Sequence, residues 1–247
     1  LEGLRVLDMS RILAGPTCTQ MLGDLGADVI KIEKPGFGDD TRKWGPPFLK
    51  DENGKDTSES AYYLSANRNK RSISIDITMK EGQDLIKKLA EKCDVLIENY
   101  KVGGLKKYGL DYKTIKDDFP DLVYCSISGF GQTGPKSKLP GYDFMIQAMG
   151  GIMSVTGDPD GPPMKVGVGI ADVMCGMYAA VSILSAIHYR NNGGNGQYID
   201  LSLLDSQAAW LINSGLNYLT SGQDQVSLGN AHPNIVPYQL FETCDGY

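Results

Sequence analysis

Up to Ser128 the chain alternates short apolar runs with amphipathic stretches. Arg5–Asp8 (RVLD) and Asp28–Glu33 (DVIKIE) read as strands. Between them a helix is predicted from about Pro16 to Leu25, with proline in the first turn, where a missing N–H is no loss. Ser72–Ile77 sets isoleucine against serine or aspartate at every second position, the period of a strand. Thr78-Met-Lys-Glu81 reads as a capping box that opens a helix to about Glu91. Asp94–Glu98 and Leu122–Ser128 are two further strands, separated by a short helical region. Strands alternating with helices predict βαβ units and a largely parallel sheet, the α/β class. The stretch from Lys34 to about Ser60, rich in Gly, Pro and Asp, reads as a loop.

The second half changes character. Tyr142–Ser154 and Ile170–Tyr189 are apolar with helical spacing, and Asn191–Gly196 (NNGGNG) is a break. A strand at Tyr198–Ser202 and a helix over about Leu203–Leu219 follow. Ser221–Asn234 is polar and irregular, Tyr238–Thr243 reads as a strand, and Cys244–Tyr247 reads as a hairpin turn. The pattern divides the chain into a large domain over 1–220 and, over 221–247, a linker with the start of a truncated small domain.

Composition narrows the function classes. Hydrophobic residues make up 41% and charged residues 22% of 247, the balance of a globular protein able to bury a core without staples. A net charge of −6 gives no basic field, so neither nucleic acid nor an anionic membrane is an expected partner. No stretch approaches 18 uninterrupted apolar residues. The five cysteines are spread out, with no C-x-x-C pair and no cysteine–histidine cluster, so neither a disulfide framework nor a metal site is expected. No secretory signal precedes the first strand, and unpaired thiols fit a reducing compartment, either cytoplasm or mitochondrial matrix.

Candidate chemistry lies elsewhere than in the familiar motifs. Gly129-Phe-Gly-Gln-Thr-Gly134 matches G-x-G-x-x-G after a strand, but Pro135 and Pro140 leave no helix for a pyrophosphate, so it reads as a turn. His188 and His232 are the only histidines, too few for most serine–histidine or metal-hydrolase schemes. Asp172, in Val166-Gly-Val-Gly-Ile-Ala-Asp-Val-Met-Cys-Gly176, stands among apolar and small residues, where an aspartate needs a reason. It reads as an N-cap or first-turn residue of a helix. It also reads as a nucleophile, with glycines leaving room for an acyl group and a helix N-terminus keeping it ionised. The two readings are compatible. Lys31, Lys34, Arg42, Arg68, Lys70 and Arg71 flank strand ends and loops, where ligands of parallel sheets bind, and fit a phosphate-bearing ligand.

Several stretches together resemble the class III CoA-transferase family, which also contains the α-methylacyl-CoA racemases. They are Leu1–Asp8, Leu13-Ala-Gly-Pro16, Leu22–Gly36, Asn67–Ser72, Asp94–Asn99, Ser128–Pro135, Gly141-Tyr-Asp143 and Gly196–Asp200, collinear over nearly the whole chain. The resemblance implies a Rossmann-like large domain, an interlocked homodimer, and coenzyme A or acyl-CoA with a carboxylic acid as substrates, with no metal. It places the nucleophile at Asp172, which would form an aspartyl anhydride and then an aspartyl-CoA thioester. CoA-contacting positions carried over are Leu13, Ala14, Lys34, Ile75, Asp76, Ile77, Thr78, Asn99, Tyr100, Lys101, Lys107, Pro140, Gly141, Tyr142 and Asp143. Lys34 and Lys107 stand where relatives often carry arginine; charge is kept but the planar fork is lost.

The racemase branch carries histidine in the middle of its Gly-x-Asp motif, where this chain has Tyr142. Tyrosine is a poor general base at neutral pH, which favours transfer, although Glu242 lies near the racemases' second acid–base residue. Gly38–Phe48 and Ile235–Gln239 look most like the succinyl-CoA–glutarate transferases, which implies dicarboxylic substrates. A CoA-binding fragment without turnover is the remaining alternative.

Overall fold

The structure, a computed structural model, describes residues 1–246; Tyr247 lies outside the described residues. In chain order the elements are β1 (Arg5–Asp8), α1 (Ala14–Asp24), β2 (Asp28–Glu33), the short strands β3 (Phe48–Lys50) and β4 (Asp56–Ser60), α2 (Ala61–Ser65), β5 (Lys70–Ser74), α3 (Lys80–Ala90), β6 (Val95–Glu98), α4 (Tyr112–Ile115), β7 (Val123–Ser128), α5 (Asp143–Met149), α6 (Ile170–Asn191), β8 (Tyr198–Ser202), α7 (Leu203–Ala208) and α8 (Ile212–Ser221). Six strands pair in parallel in the order β5-β2-β1-β6-β7-β8. Counting only the strands of this sheet, the order is 3-2-1-4-5-6, that of a doubly wound nucleotide-binding sheet. Its direction reverses between β1 and β6, and ligands of such sheets bind beyond the carboxyl ends of the strands there.

Both faces of the sheet are covered, which is why its strands read as near-continuous apolar runs. Val6, Val29, Val95, Ile97, Val123 and Cys125 join Cys18 and Leu22 of α1 and Cys175, Ala179 and Ile183 of α6 in one core. Leu7, Leu96 and Tyr124 point the other way, onto Ile86 and Ala90 of α3 and onto Leu110 and Ile115. Each large aliphatic side chain buried this way contributes about 1.5–3 kcal/mol. Among the described residues α6 alone is long and apolar enough to cross a bilayer, but half of its apolar window is buried within this fold. It packs tightly on α1: a Cβ on Gly176 would stand 2.6 Å from the Ala14 carbonyl oxygen.

The structure corrects several local expectations. The third strand of the sheet is Lys70–Ser74 rather than Ser72–Ile77, because Ile75 gives its N–H to the Glu33 carbonyl and the chain then turns. Asp76 takes both the N–H and the hydroxyl of Thr78, at 2.9 and 2.7 Å, so the capping box does not form and Met79 precedes α3 with no side-chain cap. The Lys34–Ser60 loop contains the β3–β4 hairpin, in which three-residue β3 and the polar Asp56–Ser60 carry no period-2 apolar signal. The helix expected over Leu203–Leu219 breaks at Ile212, where φ is 44°. Tyr238–Thr243 is not a strand, but the described part of the turn expected at Cys244–Tyr247 is present, Cys244 and Asp245 turning the chain between Thr243 and Gly246, which form a bridge. The five cysteines are free, with Cys18, Cys125 and Cys175 buried, Cys93 partly buried and Cys244 exposed.

Candidate active site

Three strand ends converge on a cleft of about 480 Å³. Glu33 and Lys34 arrive from β2, Ile75 to Thr78 from the turn after β5, and Tyr100 and Lys101 from β6, with Lys107 and Tyr108 from the following 3-10 turn. Arg11, after β1, and Phe37 also line it, as do Ile32, Gly104 and the Gly38–Asp40 turn with its two carboxylates. Of the carried-over positions, Lys34, Ile75, Asp76, Ile77, Thr78, Tyr100, Lys101 and Lys107 therefore share one cavity at the switch point. Asn99 does not line it. Its side chain instead clamps the β1–α1 loop, accepting the Arg11 N–H at 2.9 Å and donating to the Arg11 carbonyl at 2.7 Å. A second depression, about 440 Å³ on α6 and β8, has no charged side chain in its wall and offers nothing to a phosphate.

The basic residues divide sharply. Lys31 is buried against Asp39 at 2.9 Å, Lys70 against Asp8 at 3.1 Å, and Arg42 against Glu33 at 2.7 Å. Arg68 pairs with Asp24, and Arg71 with Asp28 at 2.7 Å. Five of the six expected phosphate-binding cations are thus occupied by carboxylates. Lys34 alone of the six lines the cleft, and its ammonium lies 4.8 Å from the Phe37 ring centre, with that of Lys43 at 4.7 Å. The cationic wall for an anionic ligand consists of Lys34, Lys101, Lys107 and Arg11. Arg11 stacks over Tyr100 at 5.6 Å while pairing with Asp40 at 2.8 Å.

Of the remaining carried-over positions, Leu13 and Asp143 meet the start of α6, where Asp172 lies. It sits in the first turn of α6, behind Gly169 at the N-cap. A Cβ on Gly169 would stand 2.9 Å from Leu13 and 3.6 Å from the Asp143 carboxylate, so the missing side chain brings those three segments together. Ala14 opens α1 beside α6. Gly141 packs backbone to backbone on Gly129, where a Cβ would lie 2.4 Å from the Gly141 Cα. The 129–134 glycines serve this contact and a turn; no helix opens there, and the Gln132 N–H goes to Asp200. Pro140 and Tyr142 are exposed.

Asp143, in the first turn of α5, caps α6 from outside: its Oδ1 accepts the N–H of Ala171 at 2.8 Å and of Asp172 at 3.3 Å. Its Oδ2 accepts from Gln147, whose own oxygen takes the Val166 N–H. The positive end of α6 is taken by Asp143, and burial first, then the Asp143 charge, push Asp172 up to about 7. Among the described residues nothing donates to the Asp172 carboxylate, so a partly buried acid stands free next to a tightly held one. Tyr62, which the sequence did not single out, is drawn into the same neighbourhood. Burial first, and then the charges of Asp172, Asp143 and Asp39, raise its phenol above the ordinary value. Its ring meets Trp44 edge-on at 5.0 Å.

The model of CoA-transferase family III matches residues 1–247. The chain belongs to that family. It is 52% identical over its whole length to a succinate–glutarate CoA-transferase of Agrobacterium fabrum, covering 62% of that protein. It is 48% identical to the succinyl-CoA:glutarate CoA-transferase of Homo sapiens, covering all of this chain and 55% of that one. The crystal structure of a CAIB/BAIF family protein from Brucella suis superposes with a TM-score of 0.93 at 52% identity, over all of this chain and 64% of that one. The chain thus spans somewhat over half the length of the curated relatives it matches.

Proposed function

We propose that this chain is the CoA-binding part of an enzyme that moves coenzyme A between dicarboxylic acids of the succinate and glutarate kind. The observation that carries the reading is Asp172: a carboxylate with no hydrogen-bond donor among the described residues, in the first turn of α6, preceded by Gly167, where an added side chain would meet open space. The named activities of the relatives support the substrate class. In the proposed sequence the Asp172 carboxylate attacks the donor thioester carbonyl, the C–S bond breaks, and a mixed anhydride and CoA thiolate result. The thiolate then attacks the aspartyl carbonyl, releasing the donor acid and leaving an aspartyl-CoA thioester. The acceptor carboxylate repeats the two steps in reverse order, and Asp172 is regenerated. Each step exchanges one activated acyl bond for another, so positioning does most of the catalysis. The cleft cations supply that positioning by holding the phosphates of CoA, whose remote binding energy orients the thioester.

The same proposal includes the interlocked homodimer, supported by apolar side chains left open on α6, α8 and beyond, such as Val181, Leu216, Leu219 and Val236. Transfer is favoured over racemisation because Tyr142 is a poor base and Glu242 lies in the exposed C-terminal stretch.

Asp172→Asn is expected to lose transfer by a factor on the order of 10⁴ while still binding CoA. Asp172→Ser, which keeps a small polar residue in the first turn of α6, is expected to fail equally. Hydroxylamine trapping in the presence of an acyl-CoA is expected to yield one hydroxamate, mapped to residue 172. Normal turnover by the asparagine variant, or a label elsewhere, refutes the mechanism.

A further inference from the structure

Glu98, which none of the chemistry above uses, ends the central strand β6 with its side chain 6% exposed. Its Oε1 accepts the Ser126 hydroxyl of β7 at 2.5 Å, and its Oε2 accepts the Tyr100 N–H at 2.7 Å. No cation answers it. The charged groups facing it are Asp111, before α4, and Asp200, on β8, both of its own sign. The other titratable groups around it are Tyr100, Tyr124 and Cys125 on β6's own loop and on β7, and Tyr198 on β8, whose hydroxyl donates to Ser126 at 3.3 Å. A buried carboxylate without a counter-ion destabilises a fold, and an apolar or amide residue of similar size would not. Its retention here calls for something that only a strong acceptor supplies.

The acceptor acts on one particular segment. Tyr100 and Lys101 form the β6 side of the cleft, and the Lys101 carbonyl, accepting the Gly104 N–H at 2.6 Å, folds the chain back toward Lys107. Asn99 ties the same segment to Arg11. We propose that Glu98 is a positioning residue: its ionised carboxylate, held by Ser126, fixes the Tyr100 main chain and with it the cleft wall that meets the anionic ligand, and its protonation loosens that wall. A hydrogen bond to an ionised acceptor is stronger than one to a neutral acid, so the wall is held best when Glu98 carries its charge. Burial, offset only in part by Ser126 and Tyr100, lifts Glu98 to about 7, which places the change in the neutral range.

This inference rests on the CoA reading for its ligand but not for its first test. Amide hydrogen exchange of the ligand-free protein, corrected for the intrinsic effect of pH, is expected to show residues 100–104 protected about three- to tenfold better at pH 8 than at pH 6. Glu98→Gln, which keeps the shape and a neutral acceptor, is expected to abolish that difference, and Ser126→Ala to move its midpoint upward. The second test is titration with CoA at pH 8, where Glu98→Gln is expected to weaken binding about three- to tenfold and to converge with the wild type at pH 6. Simple charge repulsion predicts the opposite sign, because the substitution removes a negative charge beside an anionic ligand. Equal exchange at both pH values, or a glutamine variant that binds CoA as tightly as wild type at pH 8, overturns the proposal. Exchange that follows the prediction with no CoA binding at either pH upholds Glu98's role and rejects the ligand.

Discussion

Asp143 adds a like charge beside Asp172, on top of the burial that is the larger cause of its raised value. Its Oδ1 lies 3.3 Å from the Asp172 amide nitrogen, so the two carboxylates stand within about 8 Å, where like charges at an effective dielectric near 20 repel by about 2 kcal/mol. A pKa unit corresponds to about 1.4 kcal/mol, so Asp143→Asn is expected to lower Asp172 by at least about one unit from its value near 7. The asparagine oxygen still accepts from the N–H of Ala171, which limits the loss of helix capping to about 1 kcal/mol. A nucleophilic carboxylate works only when ionised. In the wild type kcat/KM for transfer should therefore rise with pH through about 7, and in the variant the rise should be centred near 6. At pH 6 the ionised fraction grows from about a tenth to about a half, so activity there, relative to the plateau at pH 8, should increase about fivefold. The assay is CoA transfer from succinyl-CoA to glutarate across pH 5.5–8.5, with folding checked by circular dichroism. A wild-type profile flat between pH 6 and 8, or a variant whose inflection stays in place, refutes the account of the site's electrostatics.

Two further outcomes test other parts of the structure. Burial alone would raise Asp8, but the charges of Lys70 and Lys31 and the hydroxyls of Ser10 and Thr19 override it and hold Asp8 at about 2. Its folded value is depressed, so its contribution of about 2 kcal/mol is present above pH 4 and lost as pH falls toward 2. Asp8→Asn, which leaves the buried Lys70 without its carboxylate while Lys31 keeps Asp39, is expected to cost about 3–5 kcal/mol in urea unfolding at pH 7, and a difference under about 1 kcal/mol contradicts this. A 2-methylacyl-CoA incubated with the protein in D₂O is expected to keep its α-hydrogen, and rapid exchange abolished by Glu242→Gln would install the racemase reading.

Apolar periodicity made the sheet legible because both of its faces are buried: β1, β2 and β8 lie where the runs RVLD, DVIKIE and YIDLS place them. The same rule misplaced β5, since the alternation of Ile73, Ile75 and Ile77 continues past the last residue that pairs with β2. The break at Ile212 has no signal in Ala208-Ala209-Trp210-Leu211, all tolerant of helix. Hairpin β3–β4 escaped because Phe48-Leu49-Lys50 is too short to show a period and Asp56–Ser60 has no apolar residue. At the site, the spacing of Asp172 announced an odd carboxylate, but its ionisation depends on Asp143, 29 residues earlier, which no local pattern links to it. Tyr62 and Phe37 were invisible for the same reason, since their meaning comes from loops that fold over a strand end.

The fate of the basic residues shows why sequence reading overcounts ligand-binding charge on such a sheet. A lysine on a parallel strand interior, such as Lys31 or Lys70, cannot reach solvent, and the fold keeps it only by burying a carboxylate with it. Those pairs do structural work at the switch point: Asp39, paired with Lys31, also receives the N–H of Ile12, whose φ of 73° is a strained conformation for a β-branched residue. Asn99 holds the neighbouring Arg11 from the other side. The loop that leads into α1 and reaches the Asp172 neighbourhood is thus fixed by buried charge on one flank and an amide clamp on the other. Cations free to meet phosphate must come from residues beyond the strand ends, and Lys34, Lys101 and Lys107 occupy those positions. The division follows from burial, and it predicts which lysines of this chain bind ligand better than their charge does.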